Sequence, residues 1–373
     1  MKKHKTLALI LSAAMAMSAL SGCSSSIPSE TSAAQSTSAA EESNSSEAAS
    51  EESTTETAEI VSAEESAYPS IEEQIAEIRA DAEKIVYKND EGKMVVSSKL
   101  GETVVPDDPQ RIVCIKLEDL TLALGVDMVA CRNFETFYLE DEVNALNIGQ
   151  IDVDEEANTI NFEQVMSYNP DLIIIRDAFD QSIYDELNKI APTIAFRLQD
   201  YKTAMMGLGM ALGMEDQATD RLVQHLEKVA DAREELKKVD GESVAMLRIL
   251  KKEIRLYPYS KNDMSSFLYQ ELGLTPDPMV VEYDNADNLA ISMETLPDLT
   301  ADHIILIAGY GSQTAEAVEA AKQRYDEIKA DPLWQMVPAV ENGSVYEVDS
   351  RVWLTHGLLA TERKIDEVLD FLD

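Results

Sequence analysis

Basic side chains are scarce in this chain: 31 Lys and Arg stand against 70 Asp and Glu, a net charge of −39 at pH 7. So acidic a chain argues against nucleic acid and anionic membrane surfaces as partners, since both would be repelled. Cysteine is scarcer still, with three residues, so no disulfide framework organises the fold. Only four histidines occur, and no two have metal-ligand spacing. There is no Gly-x-Gly-x-x-Gly and no phosphate loop. Ser312, in Gly309-Tyr310-Gly311-Ser312, lacks the Gly-x-Ser-x-Gly frame of a nucleophile elbow. These absences make an extracellular α/β enzyme the weaker reading, although doubly wound folds host many chemistries.

What the N-terminus does contain sets the compartment. Lys2, Lys3 and Lys5 precede an apolar stretch, 7–20, too short to span a bilayer, and then Leu20-Ser21-Gly22-Cys23. This is a secretory signal over 1–22. The Leu-Ser-Gly-Cys run resembles a bacterial lipobox, which would make Cys23 the lipidated first residue of the mature chain. Residues 23–66 are Ser-, Ala-, Thr- and Glu-rich, with ten glutamates and no basic residue. Such a segment buries too little to offset its ordering entropy and is read as a disordered tether. From Ala67 onward 28 basic and 60 acidic side chains remain, a net −32.

The longest helical pattern spans 216–239, DQATDRLVQHLEKVADAREELKKV. Leu222, Leu226, Val229 and Leu236 recur at helical spacing, broken at Arg233 and widened by Val223 and Ala230. Asp216 is a suitable N-cap, Lys237 and Lys238 suit the C-terminal dipole, and Gly241 ends the helix. The remaining residues form short apolar strands alternating with helices on either side. Strands at 112–115, 128–131, 172–175 and 193–196 form a first lobe over 111–215. Strands at 243–247, 303–308 and 344–348 belong to a second lobe over 241–373, with 216–240 as the connecting helix. Continuous apolar strands separated by helices indicate parallel sheets covered on both faces. The fold class is α/β, two doubly wound lobes joined by one long helix. Residues 67–110 read as an N-terminal extension, a charged helix and a hairpin. Cys114 and Cys131 sit in apolar strands and read as buried free thiols, with a bridge between them open only if their side chains point together.

In such sheets ligands bind beyond the carboxyl ends of the strands. Those ends carry Lys116, Arg132, Arg176 and Arg197 in the first lobe, and Arg248 and Arg351 in the second. Aromatic residues accompany them: Phe134, Phe137, Tyr138, Phe179, Tyr257, Tyr259, Tyr310 and Trp353. In a strongly acidic chain this set predicts a cleft for a bulky anionic ligand, because the planar Arg fork both pairs and stacks.

Ordered motifs then give a resemblance. Pro109-Gln110-Arg111-Ile112-Val113, Leu122-Ala123-Leu124-Gly125-Val126, Asn161-Phe162-Glu163, Pro170-Asp171-Leu172-Ile173-Ile174 and Ile190-Ala191-Pro192-Thr193 follow one another in the first half. Phe267-Leu268-Tyr269-Gln270-Glu271-Leu272-Gly273 and Asn342-Gly343-Ser344-Val345-Tyr346-Glu347-Val348-Asp349, with Trp353, follow in the second. Over about 94–373 the chain resembles the iron-siderophore and cobalamin family of ABC-transporter binding proteins, most closely its siderophore branch. The resemblance implies a class III periplasmic-binding-protein-like fold, no cofactor, and a ferric siderophore as ligand. Haem, with His356 as a ligand, and cobalamin are the alternatives on the same scaffold. It places Arg132, Phe179, Arg248 and Trp353 closest to the ligand; together with the strand-end reading, the expected ligand-binding set is Arg132, Phe134, Tyr138, Arg176, Phe179, Arg248, Tyr257, Tyr310 and Trp353. It also implies docking on the permease and ATPase of an importer through one acid per lobe. Asp119, with Glu118 as fallback, and Glu271, competing with Asp263, are the matches. The protein is expected to be a monomer, lipid-anchored on the outer face of the cytoplasmic membrane. Gln150 stands where many relatives carry an Arg, and the acidic run 152–156 follows it.

Overall fold

A computed structural model of the chain describes residues 68–154, 158–250, 252–285, 289–308 and 315–373. The signal, Cys23, the tether and Tyr310 lie outside the described residues.

The first sheet has five parallel strands, Ile112–Ile115, Met128–Arg132, Gly149–Ile151, Leu172–Arg176 and Thr193–Phe196. Ile112–Ile115, first in sequence, lies in the middle: the next two strands are added on one side and the last two on the other. The winding order therefore reverses beside it, between Ile112–Ile115 and Leu172–Arg176, the point where doubly wound sheets bind ligands. Ile112–Ile115, Leu172–Arg176 and Thr193–Phe196 are buried on both faces because helices cover each side. The central strand illustrates this, with Val113, Cys114 and Ile115 all fully buried. Cys114 and Cys131 are cross-strand partners and both thiols are free; burial pushes both up from the usual thiol range.

The second sheet is mixed. Ser243–Ile249, His303–Ala308 and Val345–Val348 run parallel, while Ile254–Leu256 folds back antiparallel to Ser243–Ile249 and pairs in turn with Leu289–Ile291. Ser243–Ile249 is again central, so this sheet too reverses beside its first strand.

The connecting helix runs Glu215–Glu235 and tightens into a 3-10 turn, Leu236–Val239, before Gly241 at φ 92°. It begins one residue before the expected cap. Met214 occupies the N-cap position without a side-chain hydrogen bond, and Asp216 lies within the first turn. Its apolar stripe serves two cores in succession. Ala218, Leu222 and Leu226 pack into the first lobe, and Val229, Ala232 and Leu236 into the second. His225, fully buried on the same face, is held between the Tyr201 hydroxyl at 2.9 Å and the Glu362 carboxylate at 3.3 Å.

Two parts of the first lobe escape the sequence pattern. Helix Tyr201–Leu212, YKTAMMGLGMAL, is apolar around most of its circumference, so it shows no amphipathic period; it is buried rather than surface-lying. Gly209 lets it approach the connecting helix, since a Cβ there would come within 2.4 Å of the Ala218 Cβ. The N-terminal extension is not separate: Ile75, Ala82, Val86, Val96 and Val105 belong to the first core.

The lobes are also joined away from the connecting helix. The closing helix, Leu358–Phe371, places Leu358 in the first core and Ile365 and Val368 in the second. Its N-cap, Gly357, has no side chain to cap with, and Asp119 of the first lobe takes that role. The Asp119 carboxylate accepts from Leu359 N at 3.0 Å, Ala360 N at 2.9 Å and the Tyr138 hydroxyl at 2.8 Å. A Cβ on Gly357 would lie 2.3 Å from Asp119 Cγ, so the glycine is required by this approach. Arg221 clamps Glu362 with bonds of 2.8 and 2.6 Å, and Arg363 reaches Tyr138 O at 2.5 Å and the Glu142 carboxylate.

Candidate ligand-binding site

Where each sheet reverses, the strands end in cations. Lys116 follows Ile112–Ile115 directly and holds a left-handed backbone, φ 64°, a conformation that costs a non-glycine residue free energy and tends to mark functional positions. Its ammonium lies 2.9 Å from Asn158 Oδ1 and 5.2 Å from the centroid of the Phe179 ring. Arg176 ends the neighbouring strand and is half-buried. Arg132 ends Met128–Arg132. Its guanidinium stacks at 4.5 Å over Phe137 and 5.4 Å over Phe134, and pairs with Glu118 at 3.3 Å.

In the second lobe Arg248 occupies the penultimate position of Ser243–Ile249, opposite Arg255 and Ile307. Its Nε is buried with no hydrogen-bond partner among the described residues. Burying a guanidinium donor unmatched is costly, so this atom is the clearest sign of a group awaiting an acceptor.

His356 connects the two halves electrostatically. Burial first, and then the positive charges of Lys364, Arg176 and Arg197, lower its pKa to about 3. Arg176 and Arg197 belong to the first lobe and Lys364 to the closing helix. A neutral imidazole thus stands within a field of three cations from both sides. Lys364 is itself buried, with its ammonium donating to Thr355 O at 2.7 Å, and burial lowers its pKa to about 8. Around His356, then, the acidic body concentrates positive charge.

The structure separates the expected site residues into two groups. Arg132, Phe134, Arg176 and Arg248 are half-buried at strand ends. Phe179 is 3% exposed and meets the site only through its ring against Lys116. Tyr138 is committed to the lobe junction: its hydroxyl binds Asp119 and its ring lies 5.5 Å from the Arg363 guanidinium. Tyr257 and Trp353 are not cleft walls. They are 4% and 0% exposed within the second core, and the Trp353 indole donates to Glu367 at 2.5 Å. The apolar positions that suggested a wall are core positions. Arg351 is exposed and bonds Asp349 and Thr136 O at 2.8 Å.

Two of the expected docking acids need the same correction. Asp119 and Glu118 are 3% and 2% exposed; one caps the closing helix and the other pairs with Arg132. Glu271 is tied to Lys202 at 2.7 Å. An internal repeat places two exposed glutamates in like settings. Ile160-Asn161-Phe162-Glu163-Gln164-Val165 and Ile291-Ser292-Met293-Glu294-Thr295-Leu296 lie 131 positions apart, as 163 and 294 show. They share one burial order, buried at both ends with the glutamate exposed. Asp171 and Asp302, at the same spacing, each pin the start of their lobe's central strand: Asp171 accepts from Arg111 N at 2.8 Å and Asp302 from Ser243 N at 2.7 Å. The signal was present in the sequence as this spacing. Asp263 is exposed, but its counterpart at that spacing is Arg132.

Among the described residues no group of three His, Cys, Asp or Glu side chains is placed to hold a metal ion, and no helix is long and apolar enough to cross a membrane.

Comparison with known proteins agrees with this architecture. The chain is 29% identical over 281 residues to the putative ABC transporter substrate-binding lipoprotein YhfQ of Bacillus subtilis, covering 70% of this chain and 83% of that protein. It is 27% identical over 283 residues to the Fe(3+)-citrate-binding protein YfmC of the same organism, covering 74% and 84%. Among solved structures, Staphylococcus aureus SirA, crystallised with staphyloferrin B, superimposes with a TM-score of 0.61 at 24% identity, covering 74% of this chain and 98% of SirA; that likeness establishes the two-lobed fold. The profile of the periplasmic binding protein family matches residues 118–352, more than half of the chain, and the protein belongs to that family.

Proposed function

We propose that the protein captures a ferric siderophore or related ferric chelate between its lobes and delivers it to an ABC importer. Membership in a family of binding proteins sets an enzymatic reading aside. The observation that carries the ligand class is the buried, unmatched Arg248 Nε at a strand end of the second lobe, with Arg132 and Arg176 half-buried at strand ends of the first. Ferric chelates present anionic oxygens around the metal, and a planar guanidinium matches them in both charge and geometry. The iron is cargo held by its chelator, and the protein's donors would contact the chelator's oxygens. A relative that binds ferric citrate supports the same class. Cys23 would be lipidated, holding the protein at the outer face of the cytoplasmic membrane, as the lipoprotein name of a relative supports.

For importer docking we infer that Glu163 and Glu294 form the acidic pair. They are exposed, occupy equivalent turns of the two lobes, and so present two like charges in a repeated setting, suited to a partner with repeated basic sites. Glu294 is further held below the usual carboxylate range by its own backbone N–H and the Ser292 hydroxyl.

The test of the ligand class is fluorescence titration with ferric citrate, ferric hydroxamate and catecholate siderophores, haem and cobalamin. A ferric chelate should bind, and Arg248→Ala should weaken it by about 2–5 kcal/mol, the usual loss on truncating one partner of a desolvated charge pair. Binding of haem or cobalamin alone, or full affinity in the Arg132→Ala/Arg248→Ala double variant, would overturn the proposal.

A further inference from the structure

Residues 68–82 lie outside the segment matched by the family profile, which begins at 118, and nothing in the ligand chemistry above uses them. Their placement nevertheless has a direct mechanical reading. Helix Ile71–Ala82 starts with a complete capping box: Ser70 Oγ accepts from Glu73 N at 3.2 Å and Glu73 accepts from Ser70 N at 2.8 Å. Two orphan donors are thereby satisfied, which fixes where the helix begins. Its inner face, Ile71, Ile75, Ile78 and Ala82, packs on the first core.

The helix runs antiparallel to the connecting helix. At its C-terminal end Arg79 bonds Thr219 Oγ1 at 3.0 Å and pairs with Glu215, in the part of the connecting helix that serves the first lobe. At its N-terminal end Tyr68 reaches the part that serves the second lobe. The Arg233 guanidinium lies 3.4 Å from the Tyr68 ring centroid, and Arg233 Nε donates to Glu271 O at 2.8 Å. The Tyr68 hydroxyl lies 3.1 Å from where a Cβ on Gly273 would sit. Tyr68, Arg233, Leu236 and Gly273 together line a cavity of about 180 Å³. Between these two attachments the connecting helix passes from one core to the other, at 226–229.

We propose that residues 68–82 are a splint across the junction of the lobes, rooted in the first lobe and clamped to the second through the stacked Tyr68–Arg233 pair. Bending the connecting helix at 226–229 would draw Tyr68 away from Arg233 and Gly273, so lobe displacement is coupled to unstacking of this pair. The pair also explains the break in the apolar stripe at Arg233: that position turns from the core toward Tyr68 and the Glu271 carbonyl. An arginine serves there because one planar group can cover a ring while its Nε donates elsewhere.

The test is hydrogen exchange on the full chain without ligand, comparing wild type, Tyr68→Ala and Tyr68→Phe. Tyr68→Ala should speed amide exchange at least threefold across 226–236 and 71–75, and leave strands Ile112–Ile115 and Leu172–Arg176 unchanged. Tyr68→Phe keeps the ring and should stay nearer to wild type than Tyr68→Ala does. Spin labels on the exposed residues Lys189 and Glu341, one in each lobe, should give a broader distance distribution in Tyr68→Ala alone. Unchanged exchange and distances in Tyr68→Ala, or acceleration spread evenly over both sheets, would overturn the splint. None of these readouts depends on the ligand, so failure here is distinct from failure of the siderophore assignment.

Discussion

Removing the Asp119 carboxylate tests the lobe junction directly. In Asp119→Ala three donors lose their acceptor: Leu359 N, Ala360 N and the Tyr138 hydroxyl. Each buried donor left unmatched costs about 1–3 kcal/mol, and loss of an N-cap alone typically costs about 1 kcal/mol. The sum is reduced because burial pushes the Asp119 carboxyl up from its usual range, so part of the cost of desolvating the charge disappears with it. The net expectation is a loss of about 3–4 kcal/mol, near the cost of breaking other buried charged contacts. Tyr138→Phe removes one bond and should cost only about 1 kcal/mol. Equilibrium urea unfolding of the ligand-free protein, followed by tryptophan fluorescence and far-UV circular dichroism, measures both. Because Asp119 joins the first lobe to a helix of the second, Asp119→Ala should also separate the two probes' transitions. The Trp353 and Trp334 signals report the second lobe, where both residues are buried. A loss below about 1 kcal/mol with coincident transitions would refute the capping role.

Other outcomes follow from the same structure. Leu226→Ala and Val229→Ala each cut into a different core and should each destabilise, Leu226→Ala by about 2–5 kcal/mol, while Leu226→Pro, which breaks the connecting helix, should leave little folded protein in a thermal melt. Stability should fall on acidification. His356, at about 3 against an ordinary 6.5, contributes stability above pH 6.5 that is lost as pH falls toward 3. At Glu362 burial acts to raise the pKa, but the bonds to His225 and Arg221 prevail and lower it to about 2 from 4.5, which adds a second loss below pH 4.5. His356→Gln should flatten the first part of a urea-midpoint profile, and an unchanged profile would contradict the burial argument. Cys23→Ala should abolish lipid labelling and release the protein from the membrane fraction; unchanged fractionation would refute the anchor. Glu163→Ala/Glu294→Ala should impair uptake by cells with ligand binding intact, and normal uptake would return the docking surface to other acids.

The sequence by itself determined what depends on local pattern. Continuous apolar strands such as Leu172–Arg176 announced a sheet covered on both faces, and the helical recurrence of Leu222, Leu226, Val229 and Leu236 announced a single connecting helix. Charge asymmetry marked Arg132, Arg176 and Arg248, because cations are informative in a chain with so few. Only tertiary structure decided what depends on burial. Helix Tyr201–Leu212 has no polar face to give it a period, so its sequence cannot be distinguished from other buried apolar chain. Trp353 and Tyr257 read as ligand walls beside cations, but an aromatic residue at a strand end carries no local sign of which way it faces. Asp119 read as a surface acid for the same reason: the backbone donors it accepts from, on Leu359 and Ala360, lie some 240 residues away in sequence, and a helix cap supplied across that distance leaves no mark near either end. The same holds for Tyr68 and Arg233. Their stacking depends on two helices lying antiparallel, a relation set by the packing of both on the first core and by nothing in either segment alone.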